Sequence, residues 1–331
     1  MLSRTASAIY WMSRYLERAE ATARLIEVNL HLSLDLPGGE DEAWEAVVAS
    51  TGDLEPFTER YGDATRQGAL RFLSFDVVNP NSVLACVRLV RENARTVREQ
   101  LPAEAWEGVN ELNLQLREAA LASESLEGLD TALAAVRAAG RQLEGQLEAA
   151  LLRDEGWHFA QLGRQTERAD QTSRLVDVQH ALLEGRSDEP GHELRWEAVL
   201  KSASALTMYR RRHGATRGPQ VAEFLLLEAA FPRSLAFTLA RAEEALRAIT
   251  GTPAGQFRNA AEKALGKLAY ELRYTELDDV LKEGVHQWLD AFQERLNAVG
   301  AAVHGEYFAP PQAAAPAPLA GFEQPQQQQQ Q

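Results

Sequence analysis

Apolar residues recur three and four positions apart along most of the chain, and this spacing predicts α-helices. Residues 120–153 show the pattern most clearly, because Ala and Leu dominate there and both are strong helix formers. The stretches 80–100 and 232–250 each begin with a proline, which we expect in the first turn of a helix. Since alternating β-branched strand patterns are missing from the sequence, the pattern predicts an all-α protein.

The chain also repeats itself after about 150 residues. The matching segments are Arg14, Glu17-Arg18 and Thr22 with Arg164, Glu167-Arg168 and Thr172, WEAVV at 44 with WEAVL at 196, and GWHF at 156 with GEYF at 305. Because the matches stay in order, they predict a tandem duplication. We expect repeat 1 to span residues 1–155 and repeat 2 to span residues 156–308, each with about five helices, in one helical bundle with a pseudo-two-fold axis.

The N-terminal end of the chain does not resemble a signal peptide, and the C-terminal end is not expected to carry chemistry. The N-terminal 20 residues reach Arg14 and Glu17 before any apolar core develops, which argues against a signal peptide. Residues 309–331 are rich in Pro, Ala and Gln, and this low complexity predicts a disordered tail.

The helix predicted around the first Glu-Arg doublet carries charge on its apolar side. On a helical wheel of residues 10–30, Arg14, Arg18 and Thr22 fall inside the apolar arc and Glu17 lies at its edge. The remaining side, which we expect to face solvent, carries Glu20, Arg24 and Glu27. The second copy keeps the same inward set, namely Arg164, Glu167, Arg168 and Thr172.

A buried guanidinium group needs an acceptor, because an unpaired buried ion costs several kcal/mol. The inward set holds four cations and two carboxylates, a surplus of two positive charges. Two interpretations follow. Either the glutamates pair across the repeats in a network that docks them, with other acids taking the surplus, or the arginines hold an anionic ligand such as a carboxylate or phosphate. A glutamate near several guanidinium groups has a low pKa and is a poor base, so a site here favours binding over chemistry.

The densest basic segment is MYRRRHGATRG at 208–218, which contains Tyr209, Arg210, Arg212 and His213. One interpretation is a solvated helix end, since basic residues suit the C-terminal dipole and Gly214 stops the helix. The other is a secondary anion-binding site. The first copy keeps only Arg60 and the glycine of this segment, so such a site would be single.

Other catalytic and cofactor patterns are missing from the sequence. The pairs Glu17/Glu20 and Glu167/Asp170 lack the histidine three residues on that carboxylate-bridged metal bundles use. The seven histidines show no metal spacing, and the chain has no nucleophile elbow, dinucleotide fingerprint or phosphate loop. We therefore predict no metal and no cofactor, and we favour a protein that is not an enzyme.

Charge, hydrophobicity and cysteine content limit the possible partners and the cellular compartment. A net charge of −14 argues against nucleic-acid binding, which needs excess cations. No stretch approaches the roughly 20 apolar residues of a membrane span. The single cysteine, Cys86, cannot form an internal disulfide, which favours the reducing cytoplasm.

Several blocks of the chain resemble a bacterial family. YWMSRYLERAEATARLIEVN, NPNSVLACVRLVRENARTVREQLPAEAWEGVNELN, GRQTERADQTSRLVDVQ, EFLLLEAAFPRSLAFTL and GEYF are similar, in order, to the alpha-E domain family. The family is named for its helices and its ER motif, which maps onto Glu17-Arg18 and Glu167-Arg168. The resemblance covers residues 1–308 and implies an uncharacterised activity. It also implies two partners, an ATP-grasp protein and a transglutaminase-like protein, in peptide synthesis or modification.

Three functional hypotheses follow. The first is a cytoplasmic, non-catalytic accessory or scaffold protein of that ATP-grasp system, whose repeats are docked by the ER network. The second is a domain that binds an anionic ligand, or acts on it, through the paired Glu-Arg motifs. The third is a self-associating helical module without a ligand.

Overall fold

The computed structural model describes residues 1–35, 40–122, 126–183, 185 and 191–309. Across these residues it contains 15 α-helices, a short 3₁₀ turn and a terminal π-helical turn, and no strand. The all-α prediction is therefore confirmed. The segment beyond residue 309, predicted to be disordered, lies outside the described residues.

The two longest helices form the centre of the bundle. They are α1 (Ser3–Asp35) and α8 (Glu155–Leu183), which lie against each other. Helices α5, α7 and α9 also pack on α1, and α12, α15 and α11 pack on α8. These helices are α5 (Val83–Thr96), α7 (Leu126–Ala150), α9 (His192–Ser202), α11 (Gly218–Leu227), α12 (Leu235–Thr250) and α15 (Val285–Val303).

The remaining helices are mostly shorter. They are α2 (Glu40–Ala49), α3 (Leu54–Tyr61), α4 (Arg66–Ser74), α6 (Ala103–Ala122), α10 (Leu206–His213), α13 (Ala260–Arg273) and α14 (Leu277–Glu283). The described residues thus hold seven helices before residue 155 and eight from there on, more than the five per repeat that we predicted. Short helices such as α3 and α14 span only about two turns, which is too little for a clear 3.6-residue period.

Two matching helices begin at a serine, not at the expected proline. Ser82 caps α5, where its Oγ accepts the backbone N–H of Ala85 at 3.2 Å. Ser234 caps α12 in the same way by accepting from Phe237 at 3.1 Å. The serine satisfies a backbone donor that would otherwise have no partner, so the helix starts there. The prolines at 80 and 232 lie before the cap. The duplication itself stays a prediction.

Helices α1 and α8 approach each other closely enough for backbone contact. A Cβ added to Gly163 of α8 would lie 2.3 Å from the backbone carbonyl oxygen of Tyr10 in α1. Ala19, Ala23 and Ala169 are fully buried along the same two helices. Small side chains therefore allow the two central helices to meet.

Of the helices described, not one combines the length and the apolar character that crossing a bilayer requires.

Candidate functional site

The second glutamate of the predicted network, Glu167, is completely buried in α8. Its carboxylate accepts Nε of Arg14 at 2.8 Å and Nε of Arg18 at 2.6 Å, both from α1. Nη2 of Arg18 adds a second bond at 3.0 Å, and Gln171 donates at 3.1 Å. Arg18 thus forms a bidentate pair with Glu167 through two parallel hydrogen bonds, the geometry in which Arg–carboxylate pairs are strongest.

The first glutamate, Glu17, is buried in α1 and pairs in the opposite direction. Nε of Arg168 in α8 donates to it at 2.8 Å. Nη1 of Arg233 donates to its other oxygen at 2.5 Å. Each doublet therefore places its glutamate on the arginine of the other doublet.

Burial and arginines act oppositely on these carboxyl groups. Burial alone would raise the pKa of Glu17, but Arg168, Arg233 and Arg24 outweigh it and lower the pKa from 4.5 to about 2. For Glu167, burial is outweighed in the same way by Arg18 and Arg14, and the pKa again falls to about 2. Both groups are carboxylates at neutral pH and are poor general bases.

The structure brings the sequence-predicted set together at the contact of α1 and α8. Thr172 donates to the backbone carbonyl of Arg233 at 2.9 Å, and Thr22 is buried in α1. Arg164 donates to neither glutamate of the pair. It bonds Glu144 of α7, and its Nη2 reaches Gln161 at 2.5 Å.

Three partners of the network come from segments that the sequence did not connect to the doublets. Glu144 accepts Nη2 of Arg168 at 3.2 Å in addition to Arg164. Asn81, just before α5, accepts Nη1 of Arg18 at 2.5 Å. Arg233, just before α12, bonds Glu17 as described above. These contacts join residues far apart in the chain, so no local spacing could reveal them. The predicted duplication gives one signal, because Asn81 and Arg233 occupy matching positions in it.

The prediction that Glu20 and Arg24 face solvent is wrong. Both are buried, bonded to each other, and Glu20 also lies 3.4 Å from Nη2 of Arg233. The wheel assumed one solvent-facing side, but helices cover α1 from several directions. Glu27, expected on the same side, is half-buried against Arg137 of α7.

The enlarged network keeps its excess of positive charge. Among the described residues, six arginines meet four glutamates: Arg14, Arg18, Arg24, Arg164, Arg168 and Arg233 with Glu17, Glu20, Glu144 and Glu167. The surplus of two cations expected from the doublets therefore persists after other acids join.

A cavity of about 180 Å³ opens beside Arg14. Tyr10, Trp11 and Phe308 supply aromatic walls, and Asp170 of α8 supplies a carboxylate. The guanidinium carbon of Arg14 lies 5.1 Å from the centre of the Trp11 ring, a cation–π distance. Asn297 and His304, both exposed, line the side formed by the C-terminal helix.

A second, much smaller cavity of about 30 Å³ lies beside Arg164. Gln161, Glu17, Glu20 and Glu144 are among its lining residues. Gln161 and Glu144 both bond Arg164 and engage its two terminal nitrogens.

The predicted secondary anion site is a helix end, and Arg210 and Arg212 in it already have partners. Tyr209 is fully buried and donates its hydroxyl to the backbone carbonyl of Ala215 at 3.2 Å. Its ring stacks on His213 at 4.9 Å. Arg210 pairs with Glu197 of α9. Arg212 pairs with Glu228 at 2.7 Å, and α10 ends at Gly214, whose φ is 76°. Anion binding by this segment stays a prediction.

Groups of three or more His, Cys, Asp or Glu side chains that could hold a metal ion do not occur within the described residues. Cys86 is buried in α5, and burial raises the pKa of its thiol to about 12. A thiol held in its protonated form is a poor nucleophile.

Comparison with known proteins gives a family but no activity. An uncharacterized protein of Mycobacterium bovis is 27% identical over 304 residues, which cover 85% of this chain and 34% of the relative. An uncharacterized protein of Mycobacterium tuberculosis shows the same identity and coverage. The chain thus spans about a third of the length of these curated relatives. No solved structure matches it.

A family model described as "a predicted alpha-helical domain with a conserved ER motif" matches residues 1–308. The two Glu-Arg doublets that cross-pair between α1 and α8 lie within the matched range. The chain therefore belongs to the alpha-E family.

Proposed function

We propose that this chain is a cytoplasmic, non-catalytic accessory or scaffold protein of a peptide synthesis or modification system that contains an ATP-grasp protein and a transglutaminase-like protein. One observation carries the non-catalytic part. Both ER glutamates are buried, and each carboxylate is paired with two arginines, Glu167 with Arg14 and Arg18 and Glu17 with Arg168 and Arg233. A catalytic carboxylate needs a reactant within hydrogen-bond reach.

The ER network then serves to hold the two central helices in one arrangement. Buried ion pairs contribute little net stability compared with apolar side chains, but they penalise every arrangement that separates them. Because α1 and α8 carry the paired doublets, the remaining helices are left to form outer surfaces for partners.

Two observations support a function in association with other proteins. The family resemblance implies the ATP-grasp and transglutaminase-like partners. The mycobacterial relatives contain the matched region together with about twice as much additional sequence, so in those proteins this domain is joined to further chain. The compartment is proposed from the single buried cysteine, which does not need an oxidising environment.

Co-purification tests the scaffold function. The chain, tagged at its N-terminus, is expressed in its native host, and the bound proteins are identified by mass spectrometry. We expect an ATP-grasp or transglutaminase-like protein to be recovered repeatedly. Recovery of neither, from cells in which both are expressed, would contradict the proposal. Light scattering of the purified chain separates this outcome from self-association, since a homo-oligomer would recover only itself.

One observation favours a second candidate function, binding of an anionic ligand. The excess of positive charge in the network coincides with a cavity against Arg14. A thermal-shift screen with amino acids, dipeptides and nucleotides tests this function in general terms. Stabilisation by an anion that disappears in a folded variant lacking the arginine would support it.

A further inference from the structure

We propose that the cavity beside Arg14 binds a small zwitterion, an α-amino acid with an aliphatic side chain, whose carboxylate pairs with Arg14 and whose ammonium group faces Asp170. This inference deepens the second candidate function and needs neither the scaffold role nor its partners. It follows from hydrogen-bond capacity, charge, shape and a comparison with the smaller cavity.

Arg14 has donors left for a ligand. Its Nε donates to Glu167 at 2.8 Å, and its Nη1 makes only a long contact of 3.4 Å with the hydroxyl of Tyr10. Among the described residues, its Nη2 has no acceptor. A guanidinium group has five N–H donors, so several can reach a carboxylate in the cavity. Burial alone would lower the pKa of Arg14, but Glu167 raises it, so the cation persists.

Asp170 offers acceptor capacity on the α8 side of the same cavity. Its two oxygens share one donor, Nε of Arg174, at 3.1 and 3.2 Å. An ionised carboxylate has about four lone-pair sites, which leaves room for an ammonium group. A cavity lined by one guanidinium group and one carboxylate matches a ligand with both charges.

The size and the walls of the cavity limit the ligand. A cavity of about 150 Å³ holds a benzene molecule, so 180 Å³ suits a molecule of leucine size. Trp11, Phe308 and Leu296 present apolar surface, against which an aliphatic side chain loses contact with water. Nucleotides and long peptides are too large for this volume.

The cavity beside Arg164 shows what a filled counterpart looks like. There, Gln161 occupies the position that matches Trp11 in the predicted duplication, and it bonds the arginine directly. Glu144 supplies the carboxylate, and only about 30 Å³ remains. The protein itself neutralises Arg164, whereas the described residues leave donors of Arg14 facing open space. A bound carboxylate would complete Arg14 as Glu144 completes Arg164.

Isothermal titration calorimetry with three probe compounds tests the chemistry. L-Leucine carries both charges, 4-methylpentanoate lacks the ammonium group, and 3-methylbutylamine lacks the carboxylate. We expect L-leucine to bind wild-type protein and both analogues to bind about tenfold or more weakly, because each loses a charge-assisted hydrogen bond. Undetectable binding of L-leucine at millimolar concentration would overturn the proposal, as would equal affinity for 4-methylpentanoate.

A variant that fills the cavity tests its location without removing a charge. No atom lies within 4 Å of a Cβ built on Gly300 of α15, which lines the cavity, so a Gly300→Leu side chain enters open space. Leucine also favours the helix over glycine. Gly145→Leu in α7 is the matched control, since Gly145 is equally open and lines neither cavity. We expect G300L to weaken L-leucine binding about tenfold or more and G145L to leave it unchanged. Binding that survives G300L would overturn the assignment.

Two charge variants test the orientation of the ligand. Asp170→Asn should weaken L-leucine binding and leave 4-methylpentanoate unaffected, whereas Arg14→Gln should weaken both. The reverse pattern would overturn the proposed orientation. Because Arg14 also bonds Glu167, the fold of R14Q is checked by circular dichroism, and the cavity-filling pair decides the question if R14Q does not fold. These measurements use the isolated chain, so their failure leaves the co-purification result untouched.

Discussion

The two Glu-Arg doublets use the same motif with different neighbours. Glu167 receives Arg14 and Arg18, both from α1. Glu17 receives only one arginine from α8, Arg168, and its second comes from the start of α12, Arg233. The difference shows that the crossed pairing can be completed in two ways. A glutamate can accept from two arginines of the facing central helix, or from one such arginine and one that precedes α12.

The two doublets differ in the residues that other segments of the chain bring into contact with them. In the predicted duplication, Asn81 matches Arg233. Gln293 matches Glu144, since they lie twelve residues before GEYF and GWHF respectively. Glu144 draws Arg164 away from the centre, and Arg233 takes its place on Glu17. In the other half no acid does this, so Arg14 stays on Glu167. In the predicted duplication, the presence of Glu144 in one half and Gln293 in the other accompanies the different positions of the arginines.

The largest effect is expected when the carboxylate charge is removed from Glu167. In Glu167→Gln, Arg14 and Arg18 keep only neutral acceptors, namely the amide oxygen at position 167, Tyr10 and Asn81, and a broken buried pair costs about 3–5 kcal/mol. In Glu17→Gln, Arg168 keeps Glu144 and Arg233 keeps Glu20, so we expect a smaller loss of about 1–3 kcal/mol.

Urea unfolding measures both free energies. Glu148→Gln is the control, because this glutamate is half-exposed and pairs with Arg153 at the surface. We expect the control to change the free energy of unfolding by less than about 0.5 kcal/mol. Equal losses for the two buried variants would show that the doublets are energetically equivalent, contrary to their contacts.

Acid should remove the contribution of both glutamates. Their folded pKa lies near 2, below the ordinary 4.5, so the unfolded state binds protons first as the pH falls. Their stabilisation is therefore fully present above pH 4.5 and is lost as the pH falls from there towards 2, by about 2–4 kcal/mol at pH 3. Urea unfolding from pH 6 to pH 3 checks this. Glu17→Gln should show a shallower decline, and an unchanged slope would contradict the assignment.

Removal of the acid that distinguishes the two halves should have a moderate effect. Glu144 is about one-third exposed, so water partly replaces it for Arg164 and Arg168. We expect Glu144→Gln to cost about 1 kcal/mol in urea unfolding. The variant should also leave Arg164 with free donors, as Arg14 has. If the loss matched that of Glu167→Gln, Glu144 would be as central to the network as the ER glutamates.

The smallest effect is expected at the exposed arginines of α10. The side chain of Arg210 is 53% exposed although it pairs with Glu197. Exposed pairs contribute little, so Arg210→Ala should change the melting temperature by no more than about 1–2 °C. A larger change would mean that this segment is part of a buried network like that of the doublets.

The sequence predicted what depends on local spacing. The helical period identified an all-α protein, and the helical wheel placed Arg14 and Arg18 on the inward side. Both properties depend only on the spacing of residues within one helix. The repeated doublet suggested, as one of two interpretations, that Glu17 and Glu167 pair with arginines of the opposite doublet, and both do so in the structure.

Contacts between helices that are distant in the sequence cannot be predicted from local spacing. Glu144 and Arg233 join the network only through the packing of α7 and α12, which no local period encodes. Glu20 and Arg24 were misplaced because a wheel has a solvent side only when the helix lies at the surface, and α1 does not. The cavity is lined by residues of α1, α8 and α15, so it depends on tertiary packing that no local pattern encodes.

The close approach at Gly163 restricts how the chain can change in length. Glu167 lies four residues, about 6 Å along the helix axis, beyond the point where α8 touches α1. One residue inserted between them would turn Glu167 by about 100° away from Arg14 and Arg18 while the crossing stayed in place. Loops generally tolerate insertions better than helices, but homologues that keep the crossed doublets should keep this interval unchanged.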